Sequence, residues 1–291
     1  MNYCIRHVTR YRYPSPVSLC HNELHLAPRD TPTQSLRSLT LQVSPWPGYQ
    51  GERVDFFGNR VHHFSIQQSH RELEITACSQ VTLQPSGVEP LGLQSWETVR
   101  DRLEREVTPE ILDARQYVLP SPQVPLLPEL RDYGAASLLP GRPLGEAVAD
   151  LMGRIFQEFE YRPGFTSVST ELPVVMDHRC GVCQDFAHLA LGCLRSHGLA
   201  ARYVSGYLET LPPPGQDKLE GADASHAWFS VYIPGEGWLD LDPTNNLIPM
   251  DRHITLAWGR DYTDVTPVKG VLFGGGDSHD LEVQVDVVRE G

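Results

Sequence analysis

Three short segments between Arg179 and Asn245 carry the side chains of a thiol nucleophile, a base and an acid. The first is Cys180-Gly181-Val182-Cys183-Gln184-Asp185-Phe186, which opens a stretch of helical apolar spacing. The second, Ser225-His226-Ala227-Trp228, heads a strand-like run, and the third, Asp240-Leu241-Asp242-Pro243-Thr244-Asn245, ends another. A thiol attacks efficiently only as the thiolate, which a helix N-terminus and a neighbouring imidazole both favour. A carboxylate behind the imidazole fixes its tautomer and stabilises the imidazolium.

The helix is legible from Phe186, Leu189, Ala190, Cys193 and Leu194, an apolar stripe that Gly198 closes. Cys183 therefore falls at or beside its first turn, where unpaired N–H groups can also receive an oxyanion. Cys180 and Cys183 have competing readings as a redox pair, a zinc half-site or, for Cys183 alone, a small buried hydrophobe. A redox pair usually follows the first strand of a short βαβ unit, whereas this motif lies deep in the chain after a long helix. A zinc site needs a second C-x-x-C or an H-x₃₋₅-H, and neither occurs. Cys4, Cys20, Cys78 and Cys193 are too scattered for a disulfide framework and read as buried, reduced thiols.

Whether an acid can reach His226 depends on strand register. His226, Trp228, Ser230 and Tyr232 share one strand face, and Pro234-Gly235-Glu236-Gly237 turns the chain back into Trp238-Leu239-Asp240-Leu241-Asp242. A loop of two or four residues would put Asp242 on the wrong face. A three-residue loop pairing Ile233 with Gly237 sets Trp228 across from Asp242 and makes Asp242 the diagonal neighbour of His226. Asp240 sits one pleat further away. The histidines at 178, 188, 197, 253 and 279 have no comparable acidic partner and read as structural or solvated.

The elements around these residues suggest an α+β chain. Residues 1–85 alternate with the period of half-buried strands, most clearly at Leu73, Ile75, Ala77, Ser79, Val81 and Leu83, with a turn at Gly58-Asn59. They suggest an antiparallel β-sandwich-like domain with no catalytic constellation; His62 and His63 point to opposite faces and do not form a metal site. Residues 86–143 read as a Pro-rich connection with some helix, in which Ser95 caps a helix start. Residues 144–291 read as the catalytic core, entered through the helix of Leu144, Val148, Leu151, Ile155 and Phe159. The formal charge of −13 argues against a nucleic-acid partner, and no apolar run is long enough to span a membrane. With no signal-peptide pattern at Met1-Asn2-Tyr3-Cys4-Ile5-Arg6, a cytoplasmic location is the expectation. The sequence calls for no cofactor, has no calcium-loop ligand series and leaves the oligomeric state open.

These motifs closely resemble the transglutaminase-like superfamily, in particular bacterial members with an N-terminal β domain. The resemblance rests on Arg179 to His188, on Ala201-Arg202-Tyr203-Val204-Ser205-Gly206-Tyr207, on Asp223 to Trp228, on Gly237-Trp238 and on Asp242-Pro243-Thr244-Asn245-Asn246. It extends to Gly259-Arg260-Asp261-Tyr262 and, in the N-terminal part, to Tyr3, His7, Tyr11, Tyr13, Asp55, Phe57, Gly58 and Asn59. It implies a papain-like core with a triad of Cys183, His226 and Asp242, acting on a carboxamide or peptide carbonyl through a thioester. It also implies an upstream group at the oxyanion hole, for which Tyr161 is the candidate, with Gln184 a further cleft candidate. Cys180 departs from the pattern, since such proteins more often carry a non-thiol there. The expected function is a peptidase or amidase acting on a peptide or protein substrate. Glutamine acyl transfer to an amine is one alternative, and an inactive binding module of the same fold is another.

Overall fold

One long strand organises the N-terminal half. In the computed structural model, which describes residues 1–84, 91–210 and 224–290, β1 (Asn2–Leu24) is followed by β2 (Gln34–Ser44), β3 (Tyr49–Val54), β4 (Arg60–Ile66) and β5 (His70–Leu83). The boundary expected at 85/86 and Asp223 of the histidine motif lie outside the described residues. Residues 2–12 of β1 pair with β5 on one side. The register breaks between Arg12 and Val17, around Pro14 and Pro16, which cannot donate to a ladder. Residues 20–24 then pair with β4. The strand thereby turns from one layer into another, and Val17, Cys20, Leu24, Phe64 and Ile66 bury against Val43, Leu73, Ile75 and Ala77 in a core of their own.

Helices then lead into the second half: α1 (Trp96–Arg105), α2 (Pro109–Arg115), α3 (Pro128–Ala135) and α4 (Leu144–Glu158). The Ser95 hydroxyl accepts the Thr98 N–H at the start of α1, as its sequence position suggests. Two short strands, β6 (Glu160–Tyr161) and β7 (Cys180–Gly181), pair in parallel on either side of α5 (Leu172–His178). Helix α6 (Cys183–Arg195) packs on a four-stranded antiparallel sheet of β8 (Ala201–Leu208), β9 (Ala224–Ile233), β10 (Gly237–Leu241) and β11 (His253–Gly259), in the order β10-β9-β8-β11. Ala227, Phe229 and Val231 of β9 share a buried cluster with Phe186, Leu189, Ala190 and Leu194 of α6. No helix among the described residues is long and apolar enough to cross a membrane.

After α7 (Tyr262–Val265), the last two strands return to the first. β12 (Val268–Gly274) pairs with residues 17–24 of β1, and β13 (Asp280–Glu290) pairs with residues 2–12. Sequence order groups them with the core from residue 144, but the hydrogen bonding completes the N-terminal sheet, because β1 offers an open edge along its whole length. The same inward face of β1, β5 and β13 presents Tyr3, Ile5, Val81, Leu83, Val285 and Val287 to the helical half, within one continuous apolar cluster. Tyr3 donates to Glu209 Oε2 at 3.0 Å and to the Asp251 carbonyl at 2.6 Å across that boundary. Cys4 and Cys78, expected to be buried, are exposed. With Tyr3, Ile5, Ala77 and Ser79 turned inward, strand alternation sends both thiols to the outer face.

Candidate active site

The cysteine is placed by the start of α6. The Asp185 carboxylate reaches back to accept the Val182 N–H at 2.8 Å and the Thr166 hydroxyl at 2.6 Å. Burial raises the pKa of Asp185 in spite of these donors. Gly181 leaves the room this carboxylate needs, since a Cβ there would lie 2.7 Å from Asp185 Oδ2. Cys183, at the first helical position and half-buried, keeps its own N–H free of any helical carbonyl. Cys180 is buried on β7, and both thiols are free.

The hairpin pairs Gly237 with Ile233, the register that puts Asp242 on the face of His226. His226 Nε2 donates to Asp242 Oδ2 at 2.8 Å, and Cys183 shares the cleft with His226 and acts on its imidazole. With Nε2 committed to the acid, Nδ1 is the nitrogen left for the sulfur. Burial opposes the imidazolium of His226, but the Asp242 bond and then the Cys183 bond and charge outweigh it, lifting the group to about 10. Asp242 is fully buried. Burial would raise its pKa, yet donors from His226, His253 and Asn245 hold it well below the ordinary carboxylate range. Its Oδ1 accepts the Thr244 N–H at 2.9 Å and the Asn245 N–H at 3.2 Å, and Asn245 Nδ2 donates to Oδ2 at 2.7 Å.

His253 departs from the sequence reading. Its Nε2 donates to the same Asp242 Oδ2 at 2.9 Å, so the acid holds two imidazoles on one oxygen. The link was hidden because β11 pairs with β8, a partner more than forty residues back, with no local turn to fix its register. The ligand atoms of His226, Asp242 and His253 lie within 4.8 Å of one another, the donor set of a metal centre, although two hydrogen bonds already account for the approach. His188 does serve as structure: burial pushes it down to about 3, and its Nε2 accepts the Tyr262 N–H at 3.1 Å.

The two oxyanion and cleft candidates part company. Tyr161 pairs with Gly181 in the β6–β7 ladder, and burial first and then the charge of Cys183 raise its phenol. Gln184 lines the cleft beside Cys183, and its amide donates to Gln123 Oε1 and the Val168 carbonyl, both at 3.3 Å. Sulfur and imidazole open into a cleft of about 430 Å³ whose far wall is the N-terminal sheet: His7, Thr9 and Tyr11 of β1 and Leu281, Val283 and Val285 of β13. His7 is buried and pushed down to about 4. It is fixed between the Tyr207 hydroxyl and the Thr9 hydroxyl, each at 2.9 Å.

Residues 3–82 match the bacterial transglutaminase-like N-terminal region, and residues 135–243 match the transglutaminase-like superfamily core. An uncharacterized protein of Mycobacterium tuberculosis is 40% identical over 304 residues, covering 98% of this chain and 92% of that protein. The chain belongs to the transglutaminase-like superfamily. An uncharacterized relative in Mycobacterium leprae is 34% identical, with 97% of each chain covered. A protein-glutamine gamma-glutamyltransferase of Pseudomonas aeruginosa is 30% identical over 158 residues, which cover 46% of this chain and 24% of that one. Among solved structures, a proposed cysteine protease from Cytophaga hutchinsonii shares the fold with a TM-score of 0.79 at 21% identity, covering 100% of this chain and 92% of that chain.

Proposed function

We propose that this transglutaminase-like protein is a cysteine enzyme that cleaves amide or peptide bonds through a thioester on Cys183. The observation that carries the reading is the His226–Asp242 hydrogen bond beside Cys183 at the edge of an open cleft. The thiolate attacks the substrate carbonyl, and the Cys183 N–H receives the developing oxyanion, with Tyr161 as the candidate second donor. The His226 imidazolium gives its proton to the departing amine or ammonia, leaving the thioester and a neutral imidazole. Water then loses a proton to His226 as it attacks the thioester, and that proton returns the pair to its starting state as the acid product leaves.

Partial exposure of Cys183 supports hydrolysis, because water reaches the acyl carbon without a second protein having to dock. A second reading, transfer to an amine, is favoured by the glutamyltransferase relative. The two share the first half-reaction and separate in the second. Intact mass after incubation with glutamine-containing peptides, with and without a primary amine, tests both. Peptide acid or cleaved peptide in the presence of the amine supports hydrolysis; amine-adducted peptide supports transfer. Unchanged peptides across a broad panel, with no acyl-enzyme trapped, would sink both.

A further inference from the structure

A second cavity, of about 700 Å³, lies on the side of the core sheet that carries Trp228 and reaches across to the N-terminal half. Its centre is a stack of alternating guanidinium and indole groups. Arg29 lies over the Trp258 ring at 3.6 Å, Arg202 over the same ring at 3.7 Å, and Arg202 again over Trp238 at 4.1 Å. Arg29 is anchored, since its Nη1 donates to the Phe57 carbonyl and to Asn59 Oδ1. Arg202 differs. It is more than nine-tenths buried, and its Nε, like that of Arg29, has no hydrogen-bond partner. Asp240 acts on it through its charge, and is itself engaged by the Ser230 hydroxyl. Burial pushes both arginines down to about 10, which leaves them charged at neutral pH.

A buried cation needs a counter-charge, and aromatic faces supply only part of one. Two guanidinium groups therefore line this cavity with donor capacity beyond what the described residues use. Its walls are aromatic, through Trp228, Trp238, Trp258 and Tyr117, and its volume suits a small organic molecule. We propose that this cavity is a binding site for a small organic anion, a carboxylate or a phosphate ester, whose charged group pairs with Arg202 and whose planar body lies among the tryptophans. Asp113, Glu236 and Asp240 also line it, so the ligand carries its negative charge at one end only. The cavity is distinct from the thiol cleft, although His253, which holds Asp242, lines it, and its anion site does not depend on the catalytic reading.

The test uses the full chain as Cys183→Ala, so that no chemistry intervenes. Benzoate, phenyl phosphate and the neutral isostere benzamide are titrated at constant ionic strength, by calorimetry and by tryptophan fluorescence. One-site, saturable binding of either anion is expected, weaker by about tenfold or more for benzamide and in an added Arg202→Met change. Tighter benzoate assigns an organic acid, and tighter phenyl phosphate a phosphate ester. Absence of saturable anion binding, or binding that neither Arg202→Met nor Arg29→Met weakens, overturns the proposal. Should Arg202→Met fail to fold by circular dichroism, Arg29→Met and the benzamide comparison decide.

Discussion

Sharing one carboxylate oxygen between two imidazoles sets how each residue of the constellation responds to change. Asp242→Asn keeps the volume but presents an amide to His226 and His253, so cleavage or labelling of Cys183 should slow by about 10⁴-fold, the scale for losing a triad acid. His253→Gln retains a donor and should cost less than about tenfold, whereas His253→Ala frees Asp242 Oδ2 on one side and should cost more. Equal rates for these two variants would remove His253 from the positioning of the acid. The pH dependence has a definite sign. His226 is held at about 10 against an ordinary 6.5, so its stabilising contribution is complete below pH 6.5 and disappears as pH rises through about 10. Asp242 lies below its ordinary 3.8, so its contribution is complete above that value and is lost on the acid side. Melting temperatures measured upward from pH 6.5 should fall in the native protein and stay flatter in His226→Gln. Sequence alone could reach His226 and Asp242, because a short hairpin couples them through strand parity. It could not reach His253, whose position depends on a long-range strand pairing.

At the scale of elements, the thiol depends on how α6 begins. Gly181 precedes a helix whose start is held by Asp185, and no larger side chain fits against that carboxylate. Gly181→Ala must displace Asp185 from the Val182 N–H, costing about 1–3 kcal/mol and lowering Cys183 reactivity with it. Gly153→Ala is the matched comparison. It lies inside α4, and its added Cβ would find only Asn246 Oδ1 at 3.7 Å. That change should stabilise by about 0.5–1 kcal/mol and leave labelling of Cys183 unchanged. Chemical denaturation and iodoacetamide kinetics on the pair check both signs. The helix itself was readable from its apolar stripe, but the Asp185 cap was not, because Val182 carries no capping side chain to announce it.

For the whole molecule, the decisive element is the last one. No local signal says that residues 280–290 join β1, at the far end of the chain. Gly58-Asn59 likewise reads as a simple turn. In the fold Asn59 is fully buried, accepts the Trp258 N–H at 3.0 Å and donates to the Trp258 carbonyl at 2.9 Å, tying the N-terminal half to β11. These ties make the two halves one structural unit and the N-terminal sheet a wall of the thiol cleft. A chain ended after Gly276 would lose the β13 ladder and the burial of Val285 and Val287, each worth about 1.5–3 kcal/mol. Against a total stability of about 5–15 kcal/mol, that loss should abolish cooperative unfolding or lower its midpoint sharply. The milder Val285→Ala should cost about 2 kcal/mol while leaving the triad groups untouched. If the truncated chain unfolds at the same denaturant midpoint as the full one, β13 is an appendage, and the catalytic half stands without it.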